Sequence, residues 1–191
     1  AKDFLQFVRE LAVECHKNNI ILSTDNYKPE NYNKFYNLKE QSSYVDYVIV
    51  MAYDEHYAGS EAGSVASLPF VMEAVSDTVA LVPSNQVIVG IPFYTRIWSV
   101  SGSTTSRAVG MQDAINELNA DGQTAPWNEE AGQYVSSYEK NGVTKKTWFE
   151  EDKSVEEKLK VISEYDVAGI AAWKLGLEKS SVWSVISSYI R

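Results

Sequence analysis

The fold class is indicated by the stretch DYVIVMAY, which occupies residues 46–53 of this 191-residue chain. Its β-branched and aromatic residues show no alternation with polar ones, which predicts a strand of a parallel sheet that is buried on both faces. Three further apolar segments predict strands at 19–24, 86–93 and 168–173. Helical periodicity separates these segments, so the sequence predicts an α/β fold with parallel strands.

Helices are predicted between the strands where apolar residues recur every three or four positions. The predicted ranges are 2–17, 33–42, 64–80, 155–165 and 180–190. Ser154 and Glu157 form a capping-box pattern that marks the start of the fourth helix. Four strands are too few to close a (β/α)8 barrel, which typically takes about 250 residues. The chain is therefore expected to form either a small open α/β sheet or half of a barrel.

The region 99–153 interrupts this β/α alternation. A helix is predicted at 109–119, and an Asn-Gly turn between β-prone segments at 133–139 and 143–149 predicts a hairpin. The sequence thus predicts an α+β insertion within the β/α series. The predicted divisions are β/α units at 1–98, the insertion at 99–153 and a last β/α unit at 154–191.

Composition excludes several classes of function. The net charge of −9 and the isoelectric point near 4.8 argue against a nucleic-acid binder, which needs a basic surface. No apolar run approaches the roughly 20 residues of a membrane span. Cys15 is the single cysteine, which excludes an internal disulfide. The chain opens directly in a helical pattern without a cap, so we expect it to be a piece of a larger protein.

Candidate functional residues follow the predicted strands, because parallel β/α folds place their sites at the carboxyl ends of strands. These positions combine aromatic rings with carboxylates: Asp25, Tyr27, Met51, Tyr53, Asp54, Tyr57, Phe93, Tyr94, Arg96, Trp98, Trp173 and Glu178. Aromatic faces stack on the apolar faces of sugar rings, and short polar groups bind the hydroxyls. The same residues are compatible with a saccharide site and with plain packing at strand ends.

A metal or cofactor site is not expected. Asp54, Glu55 and His56 are adjacent, and neighbouring residues on a strand point to opposite faces, so at most two of the three share a side. The sequence has neither a glycine-rich phosphate loop nor a Cys-x-x-Cys motif. We therefore predict no metal site and no cofactor.

Three segments together resemble the family 18 glycoside hydrolases, the chitinase family. YVDYVIVMAYD at 44–54 resembles that family's sixth barrel strand with its Met-x-Tyr-Asp motif. VGIPFYTR at 89–96 resembles the seventh strand, and AGIAAWKLG at 168–176 resembles the eighth, whose Trp lies under the −1 sugar. The insertion at 99–153 lies where the family carries its own α+β insertion. The resemblance implies the C-terminal half, about strands 5–8, of a (β/α)8 TIM barrel, with the N-terminal half absent from this chain.

The resemblance also implies roles for individual residues. Tyr53 would hydrogen-bond the acetamido group of the substrate, and Asp54 would contact the sugar in the −1 site. Trp173 would stack under that sugar, and its bond to Lys174 is often cis in the family. The other residues implied in substrate binding are Met51, Tyr94, Arg96 and Trp98.

The implied activity is hydrolysis of an N-acetylglucosamine polymer, peptidoglycan or chitin, by a substrate-assisted retaining mechanism. The loop DEHYAG at 54–59 resembles the bacterial branch that degrades spore cortex peptidoglycan, which implies an extracellular or spore-envelope location. The family's proton donor belongs to an Asp-x-x-Asp-x-Asp-x-Glu motif that these 191 residues lack. The chain alone is therefore expected to be inactive, and to self-associate or to need a missing N-terminal half.

Two alternatives remain open. The chain could belong to a chitinase-like protein that binds N-acetylglucosamine saccharides without cleaving them. It could also be an independent small α/β domain whose resemblance extends only to the scaffold, in which case it would bind no saccharide.

Overall fold

The computed structural model describes residues 2–189, which form two β-sheets and their flanking helices. The α-helices are α1 (Lys2–Lys17), α2 (Leu38–Gln41), α3 (Leu68–Val79), α4 (Met111–Ala120), α5 (Asp152–Ser163) and α6 (Val182–Ser187). The strands are β1 (Ser23–Tyr27), β2 (Tyr47–Met51), β3 (Val87–Pro92), β4 (Tyr94–Ser101), β5 (Ser103–Gly110), β6 (Trp127–Asn128), β7 (Gln133–Lys140), β8 (Val143–Phe149) and β9 (Gly169–Trp173). Two 3₁₀ helices lie at Asn31–Tyr36 and Ser84–Gln86. No helix within residues 2–189 is long and apolar enough to cross a membrane.

The first sheet is parallel and has the order β1-β2-β3-β9. Residues from α1, α3, α5 and α6 pack with one of its faces into the main core. Val48 and Val50 of β2 are fully buried on that face, whereas Ile49 and Met51 on the opposite face are only half-buried. The prediction that both faces of this strand are buried is therefore wrong. The parallel sheet is covered by helices on one side and uncovered on the other.

The strand predictions differ in accuracy. Those at 46–53, 86–93 and 168–173 contain β2, β3 and β9, but the strand predicted at 19–24 is displaced to β1, Ser23–Tyr27. The parallel ladder pairs Ser23 with Tyr47, which brings the polar sequence STDNY into the sheet. The apolar residues that suggested the strand, Ile20 and Ile21, are exposed at its entrance.

The helix predictions are confirmed in position more often than in their bounds. The helix predicted at 2–17 is α1, whereas the one predicted at 33–42 divides into a 3₁₀ helix and α2 at Asn37, which has a left-handed backbone. The helix predicted at 64–80 begins only at Leu68, after the N-cap Ser67. The last predicted helix is α6, and residues 190 and 191 lie outside the described residues.

The predicted capping box at the start of α5 is wrong by three residues. The N-cap is Glu151, whose side chain accepts a hydrogen bond from the Ser154 backbone N–H at 2.9 Å. The Ser154 Oγ accepts one in return from the backbone N–H of Glu151 at 2.9 Å. Ser154 is therefore the third residue of the helix. The usual capping box has Ser or Thr at the N-cap and Glu or Gln at the third position, and here the Glu and the Ser exchange places.

The second sheet is antiparallel and has the order β5-β4-β8-β7-β6. Its β7–β8 hairpin confirms the prediction, with Asn141 and Gly142 both at positive φ in the turn. The sheet begins at Tyr94, directly after β3, and not at residue 99. The β4–β5 hairpin was not predicted, because β5 is the Ser/Thr-rich sequence STTSRAVG, mostly exposed at a sheet edge.

Candidate functional site

An open cleft of about 410 Å³ lies at the carboxyl end of the parallel sheet, on the face that no helix covers. Its walls come from all four parallel strands and the residues that follow them: Asp25, Tyr27, Ile49, Met51, Tyr53, Asp54, Gly90, Ala171, Ala172 and Trp173. Six residues singled out from the sequence therefore come together at one place: Asp25, Tyr27, Met51, Tyr53, Asp54 and Trp173. The cleft arises because neighbouring parallel strands end at the same edge.

The ring of Tyr53 lies against the backbone of β3, where Gly90 leaves room for it. A Cβ at Gly90 would lie 3.2 Å from Cε1 of Tyr53 and 3.2 Å from the carbonyl oxygen of Val50. Burial raises the pKa of the Tyr53 phenol, and the carboxylates of Asp25 and Asp54 raise it further because a second negative charge beside them is unfavourable. Tyr53 therefore stays neutral and can donate a hydrogen bond into the cleft.

Asp54 is exposed, and its carboxylate is hydrogen-bonded to a buried tyrosine, Tyr94. Its backbone is left-handed, with φ of 59°, and its Oδ1 accepts a hydrogen bond from the Tyr94 hydroxyl. Burial and this hydrogen bond raise the pKa of Tyr94, so the phenol remains a donor. The rings of Tyr53 and Tyr94 meet edge to face, with centroids 6.5 Å apart. Tyr94 thus fixes the carboxylate of Asp54 and is itself buried.

Trp173 ends β9 and leaves 56% of its surface exposed beside the cleft. Its carbonyl oxygen accepts a hydrogen bond from the Phe93 N–H at 2.8 Å, which holds the strand end in place. The peptide bond from Trp173 to Lys174 is cis, as the family resemblance implied. An exposed indole beside polar groups is suited to stack on the apolar face of a sugar ring.

Three residues predicted in substrate binding lie outside the lining of the cleft: Tyr94, which bonds Asp54, and Arg96 and Trp98. Trp98 is fully buried, and its Nε1 donates to the Gly63 carbonyl oxygen at 2.8 Å, outside the lining of the cleft. Arg96 is half-buried on β4, and its Nη1 donates to Ser106 Oγ at 3.0 Å, outside the lining of the cleft. Arg96 and Trp98 both belong to β4, a strand of the antiparallel sheet. Their side chains lie away from the cleft because the chain leaves the parallel sheet before Tyr94.

The remaining charged residues at the strand ends have structural partners. Glu55 accepts hydrogen bonds from the backbone N–H of Ser67 at 2.7 Å and from its Oγ at 3.0 Å, at the start of α3. Glu178 accepts from the Gly176 N–H at 2.7 Å, and hydrogen bonds from backbone N–H groups lower its pKa. Within residues 2–189 no group of three His, Cys, Asp or Glu side chains could hold a metal ion, so Asp54, Glu55 and His56 do not converge.

Asp25 and Tyr27, which were candidate functional residues without an individual role, also line the cleft. They occupy alternate positions on β1, opposite Ile49 and Met51 of β2, and both side chains are exposed. The sequence signal was their two-residue spacing, which places them on one face of a strand.

The family model for glycosyl hydrolases family 18 matches residues 1–178, so the chain belongs to this family. An uncharacterized glycosylase of Bacillus subtilis (strain 168), YvbX, is 29% identical over 189 residues, which cover 96% of this chain and 55% of YvbX.

Two solved structures show the same fold. The spore cortex-lytic enzyme SleL of Bacillus megaterium QM B1551 matches with a TM-score of 0.90 at 20% identity, over 100% of this chain and 46% of SleL. A plant class V chitinase mutant from Cycas revoluta, in complex with (GlcNAc)3, matches with a TM-score of 0.79 at 18% identity, over 98% of this chain and 63% of the chitinase. The chain thus spans about half the length of YvbX and of SleL.

Proposed function

We propose that the chain is the substrate-positioning part of a glycosidase that acts on an N-acetylglucosamine-containing polysaccharide, peptidoglycan or chitin. The observation that carries this proposal is the open cleft that combines Tyr53, Asp54 and Trp173 in a family 18 chain. The complex of the Cycas revoluta chitinase with (GlcNAc)3 supports the ligand class. The match to a spore cortex-lytic enzyme supports a peptidoglycan substrate and a spore-envelope or extracellular location.

The proposed mechanism is substrate-assisted and retaining. A protonated carboxylic acid gives its proton to the leaving oxygen, and the carbonyl oxygen of the substrate's own acetamido group attacks the anomeric carbon. Tyr53 donates its phenolic hydrogen bond to that acetamido oxygen. The carboxylate of Asp54 stabilises the positive charge that develops on the acetamido group, and Trp173 stacks under the same sugar. Met51 packs below this site.

The chain alone should not hydrolyse, because the Asp-x-x-Asp-x-Asp-x-Glu motif of the family does not occur in its 191 residues. Loss of a general acid lowers the rate by about 10²–10⁴-fold. The uncovered face of the parallel sheet and its unpaired edges at β1 and β9 fit half of a barrel. We propose that these surfaces bind an N-terminal half or a second copy of the chain.

Titration with N-acetylglucosamine oligomers, followed by calorimetry, tests the saccharide site. Trp173→Ala should weaken binding at least tenfold, equivalent to about 1.4 kcal/mol, because the stacking surface is lost. Trp183→Ala is the matched control, since this indole is also partly exposed but lies on α6 outside the cleft lining. Equal affinities for wild type and Trp173→Ala would contradict the assigned role.

A non-catalytic saccharide-binding protein is the second candidate, because the acid motif is absent from these residues. The coding sequence upstream of residue 1 separates the two. An intact Asp-x-x-Asp-x-Asp-x-Glu motif there supports the hydrolase, and replacement of its final Glu supports the binding protein.

A further inference from the structure

A buried charged network links the end of β8 to α5 at a place outside the cleft. Glu150, directly after β8, is fully buried, and the side chain of Lys158 on α5 is 1% exposed. The Lys158 ammonium donates to both carboxylate oxygens of Glu150, at 3.0 and 2.9 Å. Ser154 Oγ donates to Oε2 at 2.9 Å, and Gln133 Nε2 donates to Oε1 at 2.7 Å. The carboxylate is therefore fully partnered.

From Gln133 the network continues to the loop that begins with Asp54. Ser64 Oγ donates to Gln133 Oε1 at 2.5 Å across 69 residues of sequence. The carbonyl oxygen of Ser64 accepts from the His56 N–H at 3.1 Å, and that of Val65 accepts from the Glu55 N–H at 3.0 Å. The two residues that follow Asp54 are therefore tied through Ser64 to Glu150.

A second path from Glu150 leads to the tyrosine that holds Asp54. The backbone N–H of Glu150 donates to Thr95 Oγ1 at 2.9 Å, and Thr95 follows Tyr94 on β4. Glu150 is thus hydrogen-bonded directly to β4, which carries Tyr94, and is linked through Gln133 and Ser64 to the loop that begins with Asp54.

We propose that Glu150 and Lys158, acting through Gln133 and Ser64, position the carboxylate of Asp54 for its ligand. Stability alone does not account for a buried ion pair, because well-packed apolar residues of similar volume are often as stable or more so. A fully partnered polar network instead fixes one geometry. These are positioning residues, and the identity of the ligand as a saccharide rests on the proposed function.

The test uses Ser64→Ala, which cuts the network but leaves the ion pair intact. Ser136→Ala is the matched control, since Ser136 is also buried but its Oγ has no hydrogen-bond partner in the described structure. We expect Ser64→Ala to weaken binding of N-acetylglucosamine oligomers five- to tenfold, and Ser136→Ala to change it less than twofold. In an Asp54→Asn background Ser64→Ala should have no further effect, because both changes act on the same group. An undiminished loss in that background would overturn the proposal.

A ligand-free measurement separates this proposal from the saccharide assignment. In protein labelled with ¹³C at tyrosine Cζ, the Tyr94 resonance is assigned by its loss in Tyr94→Phe. Ser64→Ala should shift that resonance in the direction that Asp54→Asn shifts it, and Ser136→Ala should not. A Tyr94 resonance that does not move overturns the positioning role. A moved resonance in a protein that binds no saccharide upholds the positioning role and overturns only the proposed function.

Discussion

The two sheets of this chain differ in how their faces are covered and in what their strands are made from. The parallel sheet assembles strands far apart in sequence, and helices bury only one of its faces. The antiparallel sheet includes two hairpins with short turns, β4–β5 and β7–β8. The cleft lies on the uncovered side of the first sheet, while the second sheet supplies Tyr94 and the partners of Glu150. The parallel sheet thus forms the cleft, and the antiparallel sheet supplies the tyrosine that is hydrogen-bonded to Asp54.

Removal of the ammonium that links α5 to Glu150 at the end of β8 should have the largest effect on stability. Burial raises the pKa of Glu150, and the charge of Lys158 opposes that shift. Lys158→Met leaves a buried carboxylate without its counterion, so we expect the free energy of unfolding to fall by about 3–5 kcal/mol. Urea denaturation measures this free energy. Lys160→Met is the control, because the Lys160 side chain is half-exposed on the same helix. If both variants unfold at the same urea concentration, the ion pair does not stabilise the contact between α5 and the end of β8.

Truncations on opposite faces of β3 test the one-sided burial of the parallel sheet. Ile91 is fully buried toward the helices, whereas Ile88 on the other face is half-buried. Ile91→Ala should cost about 3 kcal/mol through lost burial and a cavity, and Ile88→Ala about 1 kcal/mol. Equal costs in chemical denaturation would mean that another surface covers the uncovered face in solution.

Substitution of one glycine from each sheet tests how sensitive the two sheets are to backbone conformation. The two positions are Gly142, in the β7–β8 turn, and Gly169, in β9. Gly142 has φ of 74° in the β7–β8 turn, so Gly142→Ala should cost about 1 kcal/mol because a Cβ is strained there. A Cβ at Gly169 in β9 would meet no atom within 4 Å, and the φ of this residue is not positive. Gly169→Ala should therefore leave the thermal midpoint nearly unchanged. A larger loss for Gly169→Ala would reverse the comparison.

Neutralising Asp25 should change the ionisation of Tyr53 with little effect on stability. The negative charge of Asp25 disfavours the phenolate, so Asp25→Asn should lower the pKa of Tyr53 toward the ordinary tyrosine value. A pH titration of the ¹³C-labelled Tyr53 ring measures the shift. Asp77→Asn removes the same charge from an exposed position on α3, outside the cleft, and should leave this pKa unchanged. Equal shifts in both variants would contradict a local effect.

The sequence predicted those parts of the fold that depend on local chemistry. Runs of apolar residues identified β2, β3 and β9, and the Asn-Gly turn identified the β7–β8 hairpin. The Met-x-Tyr-Asp motif identified Met51, Tyr53 and Asp54, and these residues do line one cleft. The predictions differ from the structure where contacts with distant segments decide the position of a side chain. Trp98 follows a strand-like segment, but β4 continues into a second sheet and its ring is buried there.

By itself the sequence determined the family, the order of the parallel strands and of the helices between them, and the residue types gathered at the strand ends, because periodicity and turn chemistry are local properties. Only the tertiary structure decided that one sheet face stays uncovered, that Asp25 and Tyr27 lie within β1 and not after it, and that Glu150 reaches Ser64 through Gln133. These features depend on strand register and on contacts between distant segments. The hydrogen bond between Ser64 and Gln133, for example, forms only when the loop after β2 packs against β7.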